Sequence, residues 1–285
     1  MPEISKIAVV TGASSGIGLK TAVKLATNGY RVWAVARRIE RLQALAEEYR
    51  QIEPHSVDLS RPVQVEAFCR QIETEKDPVA VLVNNAGYSL RGVIENVPVD
   101  QIKLLFEVNV FALLRITQAC LPTMRPQRAG TIINISSIAG KLTFPGNGPY
   151  AAAKHAVEAF TDAMRHELSP LGIRVVSIRP AFIATEFNVV ANRMSAEFVH
   201  DTIEEYRQIS ATARDKLNAM WAALKPLEPE AVADLILEII GSNEPRAAYA
   251  IGPTAEEFLS QRKRLNDDEW KEFLDKKMGL YDFEL

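Results

Sequence analysis

The sequence holds two cysteines in 285 residues, too few for a disulfide framework. Cys69 and Cys120 each fall in a segment that reads as helix, with no CxxC partner or histidine beside them, so they read as packed free thiols of a reducing compartment. No metal site is expected. Charge of one sign is also lacking: 33 basic against 36 acidic side chains leave −3. That balance gives no electrostatic reason to expect nucleic acid or an anionic membrane as partner. The start, Met1-Pro2-Glu3-Ile4-Ser5-Lys6 before Ile7-Ala8-Val9-Val10, lacks the basic flank and long apolar core of a signal peptide. No apolar stretch reads as approaching the ~20 residues of a membrane-spanning helix. A cytoplasmic protein is the expectation.

What the chain does have is the balance of an ordinary folded domain, 47% apolar and 24% charged. Its length is within reach of one large α/β domain spanning residues 1–285. Over the first 180 residues, short β-rich runs alternate with helical patterns. The predicted strands are Lys6–Thr11, Arg31–Ala36, His55–Leu59, Val79–Asn84, Thr131–Ser136 and Arg174–Arg179, with a late seventh at Ala247–Ile251 after a helix over Pro229–Ile240. Helices are expected near 17–28, 39–50, 62–75, 99–124 and 150–170. Short, mostly apolar strands separated by helices imply a doubly wound parallel sheet of about seven strands, covered on both faces. Residues 186–226 interrupt the alternation with amphipathic helix (Met194, Phe198, Ile203, Tyr206, Ile209 and Trp221 are the apolar positions). An insertion after a strand's carboxyl end sits over the ligand crevice, so this segment is expected to be a substrate lid. Residues 254–285 form a charged helical extension, with Trp270, Phe273 and Leu274 on one face and Asn266-Asp267 as a cap.

Three features carry chemistry. The turn Thr11-Gly12-Ala13-Ser14-Ser15-Gly16-Ile17-Gly18 joins the first strand to the first helix, where glycines let backbone approach a pyrophosphate and helix N–H groups point at it. Alone such a turn is weak evidence, since glycine also serves tight turns. At the end of the second strand stands Ala36, followed by Arg37 and Arg38, where NAD-binding sheets place an acid for the ribose 2′-hydroxyl. A guanidinium there suits a 2′-phosphate, so NADP(H) is the preferred cofactor, with NAD(H) possible. Two solvated arginines at a helix start are the plain alternative. Third, Tyr150-Ala151-Ala152-Ala153-Lys154 puts a phenol and an ammonium on one helix face. A phenol with a pKa of ~10 needs a nearby cation or a helix N-terminus to exchange protons near neutrality, and Pro149 places Tyr150 in the first helical turn.

Together these motifs resemble the classical short-chain dehydrogenase/reductase family. Thr11–Gly18 is similar to its cofactor loop and Asn84-Asn85-Ala86-Gly87 to the motif ending its fourth strand. Asn109, Ser137 in Asn134-Ile135-Ser136-Ser137, Tyr150 and Lys154 match its catalytic residues in identity and spacing. The resemblance covers roughly residues 4–186. It implies that Ser137 holds the substrate oxygen, Tyr150 exchanges its proton, Lys154 lowers the tyrosine pKa and binds ribose, and Asn109 holds a water. An asparagine on an apolar helix face can equally do no more than bind a neighbouring carbonyl. The cofactor contacts implied are Gly12, Ser14, Ser15, Gly16, Ile17, Gly18, Arg37, Asp58 (adenine), Asn85, Ala86, Gly87, Tyr150, Lys154, Pro180, Ile183 and Thr185. Ala181 stands where the family has the glycine of Pro-Gly.

The substrate pocket is expected to include Ser137, Leu142, Phe144, Tyr150, Phe182 and Phe187, with Val189, Val190, Met194 and Phe198 nearby. That apolar wall suits a hydrophobic alcohol and its ketone or aldehyde. Two other readings stay open: an acyl-thioester ketoreductase, with Arg91, Arg193 and Arg207 as landing points for an acidic carrier, and a catalytically silent cofactor-binding sensor, which the intact Tyr150 and Lys154 argue against. The resemblance also implies a homodimer or homotetramer.

Overall fold

A computed structural model describes residues 6–199 and 203–280, apart from the side chains of 197–199, 209, 213, 220 and 221. The expectations for Met1–Ser5, and for the side chains of Phe198, Ile209 and Trp221, lie outside the described residues.

The chain forms one sheet of seven parallel strands in the order β3-β2-β1-β4-β5-β6-β7. The strands are β1 (Ile7–Thr11), β2 (Arg31–Ala36), β3 (Ile52–Ser56), β4 (Val79–Asn84), β5 (Gly130–Ile135), β6 (Ile173–Pro180) and β7 (Ala248–Ile251). Side chains alternate along each strand, so β1 sends Ala8 and Val10 to one face and Ile7 and Val9 to the other. On the first face they meet Ala22 and Leu25 of α1 (Gly16–Thr27), Leu42 of α2 (Ile39–Glu48) and Val232 and Ile236 of α9 (Pro229–Gly241). On the second they meet Phe68 and Ile72 of α3 (Pro62–Thr74), and Ile116 and Met124 from the helix over 99–124. Both faces of every central strand are therefore buried, which is why the strands are continuous apolar runs. Strand order reverses between β1 and β4, leaving a crevice at their carboxyl ends.

Three expectations change. The third strand is Ile52–Ser56, not His55–Leu59. It is an edge strand, where Pro54 removes no ladder hydrogen bond that the sheet needs; Val57 and Leu59, just beyond it, are buried all the same. The helix over 99–124 is α4 (Val99–Phe106) and α5 (Ala112–Met124) joined by a π-turn, Glu107–Phe111. Contrary to the sequence reading, Val99–Met124 is long and apolar enough by composition to cross a membrane; half of its most apolar stretch is buried inside the domain.

The segment following β6 carries α7 (Phe187–Val199) and α8 (Glu204–Ala223). At the end, α10 (Ala255–Arg264) and α11 (Asp267–Met278) are joined by the expected cap: Asn266 accepts from the Glu269 N–H and the Glu269 carboxylate answers the Asn266 N–H, both at 2.9 Å. Their apolar face packs on Ile138, Leu142, Phe144 and Ala181 as a third core.

Candidate active site

The site is assembled at the carboxyl ends of β1, β4, β5 and β6. The turn after β1 is as tight as its glycines demand. Gly12 and Gly16 take left-handed backbone at φ +70 and +54. A Cβ on Gly18 would stand 2.3 Å from the Gly12 carbonyl oxygen and 2.5 Å from Asn85 Nδ2, so no larger residue fits. The Ser15 side chain does not cap α1, and the first N–H groups of that helix are free to bind an anion. Asn85 Nδ2 donates to the Thr11 carbonyl at 2.9 Å, and Thr11 Oγ1 accepts from the N–H groups of Asn85 and Ala86 at 3.0 Å each. Those bonds lock the β4 end against the turn. Thr11 was not among the expected contacts, although it opens the motif.

The cleft beside this turn is lined by Gly12, Ser14, Ser15, Gly16, Ile17, Arg37, Asp58, Asn85, Ala86, Gly87 and Thr185, all expected for the cofactor. It is also lined by Phe187, Val190 and Met194 of α7. Gly18 lies beneath it, Pro180 ends β6, and Ile183 follows that strand and forms an isolated bridge with Leu227. Ala181 is not the strained position; Phe182, at φ +53, takes the left-handed conformation that a glycine would adopt without penalty. Of the two arginines, Arg37 is exposed along the cleft, whereas Arg38 grips the turn. Its guanidinium donates to Ser14 Oγ at 3.1 and 3.2 Å and to Ser15 Oγ at 2.8 Å. Glu186 then receives Arg38 at 2.8 Å and Arg41 at 2.9 Å. Sequence reading noted Arg38 without assigning it a contact, and missed Glu186, which is remote along the chain.

The second half of the site is built on α6 (Gly148–Leu168), with Pro149 in its first turn. Tyr150 is 8% exposed and Lys154 5%. The Ser137 hydroxyl stands beside the Tyr150 phenol and favours its ionised form; its oxygen accepts the Ala139 N–H at 3.1 Å, which fixes the short turn after β5. Lys154 Nζ donates to the Ile135 carbonyl at 2.7 Å and lies 5.8 Å from the centre of the Tyr150 ring. Phe187 covers that ring edge-on at 5.6 Å. Burial pushes the phenol up to about 12, against the Ser137 hydroxyl and the charge of Arg91. Burial also pulls Lys154 down to about 8, opposed by the charge of Glu158.

Asn109 sits in the π-turn and is 1% exposed. Its amide is used on the backbone of Tyr88, accepting the N–H at 3.1 Å and donating to the carbonyl at 2.9 Å. A Cβ on Gly87 would come within 3.1 Å of Asn109 Oδ1, so Gly87 makes room for this clasp. The side chain thus holds the loop after β4, and one of its N–H groups and one lone pair remain for a water.

One turn beyond Lys154, Glu158 is buried at 1% exposure. It accepts Arg179 at 2.6 and 3.0 Å and Ser177 at 2.6 Å. A neighbouring network runs from Thr117 through Asn84 and Asn134 to Thr161, tying α5, β4, β5 and α6 into one register. Neither device was read from the sequence, although Glu158 continues the four-residue spacing of Tyr150 and Lys154.

The residues expected around the substrate fall in two places. Ser137, Tyr150 and Phe187 come together. Leu142 and Phe144 do not join them: at 2% and 8% exposure they are core residues beneath α10, with Phe144 edge-on to Phe258 at 5.4 Å. Phe182 packs on the same core.

The model of the short chain dehydrogenase family matches residues 6–196. The chain belongs to that family. It is similar, at 35% identity over 87% of this chain and 88% of the relative, to an NADPH-dependent 3-dehydrocapnine reductase of Ornithobacterium rhinotracheale. Among solved structures, a short-chain dehydrogenase from Streptomyces avermitilis superposes with a TM-score of 0.81 at 28% identity, covering 98% of this chain and all of that one. A short-chain dehydrogenase from Sphingobium yanoikuyae in complex with NADPH gives 0.70 at 25% identity, with 98% and 96% covered. As a short-chain dehydrogenase the protein is an oxidoreductase, and its cleft is that of a nicotinamide cofactor.

Proposed function

We propose that the protein interconverts an apolar alcohol and its ketone or aldehyde, with NADP(H) as the preferred cofactor. The observation that carries this reading is the buried triad: a Tyr150 phenol with the Ser137 hydroxyl beside it and the Lys154 ammonium one helical turn on. The uncapped N-terminus of α1, in a turn that Gly12, Gly16 and Gly18 keep tight, fits the pyrophosphate of a dinucleotide, and Arg37 and Arg38 fit a 2′-phosphate. When bound, the nicotinamide supplies or takes the hydride. In reduction, Ser137 donates a hydrogen bond to the substrate carbonyl oxygen, and Tyr150 passes its phenolic proton to that oxygen as it gains charge. In oxidation both steps reverse. Lys154, fixed by Ile135, holds positive charge beside the phenolate and lowers the cost of forming it. Phe187 excludes water from the phenol, and the apolar side chains Val190 and Met194 favour a substrate with an apolar body.

The test is a panel of apolar ketones, aldehydes and secondary alcohols, assayed with NADPH and NADH in parallel by the absorbance of reduced nicotinamide. Turnover with NADPH ahead of NADH supports the reading. Equal dissociation constants for the two cofactors overturn the cofactor preference, and no turnover across the panel overturns the substrate class.

A further inference from the structure

We propose that Arg91 anchors an acidic group of the substrate, so that the compound reduced or oxidised is an apolar carbonyl or alcohol ending in an oxyanion such as a carboxylate. This rests on the reading of the site given above, and it narrows the substrate class.

Arg91 lies in the loop after β4. Gly92 N–H donates to the Gly146 carbonyl at 2.9 Å, which ties that loop to the segment leading into Tyr150. The Arg91 N–H donates to Ser195 Oγ at 2.8 Å, and Ser195 is itself 1% exposed on α7. The guanidinium donates to Asn192 Oδ1 at 2.9 Å and to Asn188 Oδ1 at 2.5 Å. Asn188 follows Phe187, whose ring covers Tyr150. The cation is thus held one residue from the side chain that closes over the reacting phenol, and close enough for its charge to act on that phenol.

Its partners are the unusual part. Arg31, Arg38, Arg115 and Arg179 each have a carboxylate within 4 Å. Among the described residues Arg91 has none; it is held by two asparagines at positions where aspartate would have neutralised it. Neutral amide oxygens orient a guanidinium without cancelling its charge, and a partly buried cation left so is unfavourable until an anion arrives. Two of its five N–H groups are used by the asparagines, leaving donors for a carboxylate. Such a charge-assisted contact discriminates an acid from a neutral group by about ten- to a hundredfold.

The test compares a straight-chain aldehyde with the ω-oxo carboxylic acid of the same length, and with the corresponding ω-phosphate ester, in wild type, Arg91→Gln and Arg91→Lys. The expected result is a kcat/KM favouring the anionic substrates by about ten- to a hundredfold. That ratio collapses towards one in Arg91→Gln and is partly kept in Arg91→Lys. Carboxylate ahead of phosphate assigns a carboxylic acid, and the reverse order a phosphate ester; both support an oxyanion anchor. No preference in wild type, or a preference that survives Arg91→Gln, overturns the proposal. So does an equal loss on all three substrates, which would mean that Arg91 acts through Tyr150 alone. If Arg91→Gln does not fold, Asn188→Asp keeps the arginine, neutralises it in place and must abolish the same preference. Calorimetry of a fatty acid against the fatty alcohol of equal length, on the NADPH-loaded protein, separates the two readings. Tighter binding of the acid, with no turnover of any of the three carbonyl substrates in the kinetic assay, upholds the anchor and refutes the reductase reading; turnover of those substrates without that difference in binding does the opposite.

Discussion

Lys154 Nζ bonds the Ile135 carbonyl at 2.7 Å and meets Tyr150 at its ring, 5.8 Å from the centroid, rather than at its hydroxyl. The phenol itself is touched by Ser137. The lysine therefore stands at the face of the ring, and the serine at the hydroxyl. Under the proposed mechanism, Tyr150→Phe removes the group that exchanges a proton with substrate and leaves the ring packing on Phe187 intact. Turnover is expected to fall by about 10²–10⁴, with an unchanged NADPH dissociation constant by fluorescence titration. Activity within a factor of a few of wild type rules out Tyr150 as the acid/base.

The two groups titrate in opposite senses. Burial holds the phenol protonated up to about 12, while burial strips Lys154 of its proton near 8. Carbonyl reduction needs the protonated phenol and the charged lysine, so its kcat/KM is expected to be level through neutrality and to fall as pH rises through about 8. Alcohol oxidation needs the phenolate and is expected to gain with rising pH over the neutral range. Profiles measured in both directions on one alcohol–carbonyl pair check this. A reduction profile that stays level well above the lysine's pKa removes Lys154 from the proton-transfer step.

Arg38 is shared between the cofactor turn and Glu186, so under the proposed cofactor preference a 2′-phosphate would compete with the Glu186 carboxylate for it. Arg38→Ala or Arg37→Ala is expected to weaken NADPH by about ten- to a hundredfold and NADH little. Glu186→Gln has the opposite sign: it frees Arg38 and Arg41 and takes an anion away from the cleft, tightening NADPH more than NADH. The pairs are 42–47% exposed, so the gain is a few-fold at low salt and fades at high salt. Titration of both cofactors at two ionic strengths decides it, and unchanged NADPH affinity in Glu186→Gln refutes the competition.

The parts of this site that were readable are those whose reason is local. The turn from Gly12 to Gly18 needs glycine for its own backbone, Pro149 starts the helix it sits in, and Tyr150 and Lys154 share a face by spacing alone. What was not readable depends on who packs against whom. Leu142 and Phe144 belong to a pocket by position along the chain, yet α10 returns more than a hundred residues later to cover them. The third strand, expected at His55–Leu59, lies at Ile52–Ser56, where the edge position of β3 makes the missing N–H of Pro54 harmless. The π-turn around Asn109 has no signature in an otherwise regular helical pattern, since its apolar positions still fall at helical spacing. Arg38 and Glu186 are 148 residues apart, and only the packing of the segment between β6 and α7 against the cofactor loop makes them partners.

Glu158 gives a stability test with a defined sign. Burial favours its neutral form, but hydrogen bonds from Arg179 and Ser177 and the Arg179 charge override this and hold the carboxyl at about 2. A folded-state pKa below the unfolded value of about 4.3 stabilises the fold above that pH. The contribution is lost as pH falls towards 2, and amounts to the order of 3 kcal/mol. Glu158→Gln should lack this acid-side slope. It should also cost about 3–5 kcal/mol at neutral pH, because Arg179 is left without its buried anion. Urea denaturation of both proteins across that range measures the slope, and parallel stability curves would show that Glu158 is not the group responsible.

The C-terminal helices bear on catalysis through Phe258. It is fully buried at 0% exposure, edge-on to Phe144 at 5.4 Å, in the same cluster as Ile138 and Leu142. That cluster lies directly under the turn that Ser137 caps, so α10 and α11 form the floor of the segment that holds Ser137. The cofactor turn after β1 belongs to another part of the core, against α1, α2 and α9. Phe258→Ala is therefore expected to do two things at once: destabilise by about 3–5 kcal/mol, as large-to-small changes of buried aromatics do, and lower kcat by loosening Ser137. NADPH affinity should hardly move. Phe258→Leu, which refills most of the space, should recover both stability and kcat. Thermal denaturation, turnover and cofactor titration on the same samples separate the possibilities. If stability falls while kcat holds, the extension covers the core and does no more. If kcat falls and Phe258→Leu restores it, residues 255–278 act as a support for the catalytic loop.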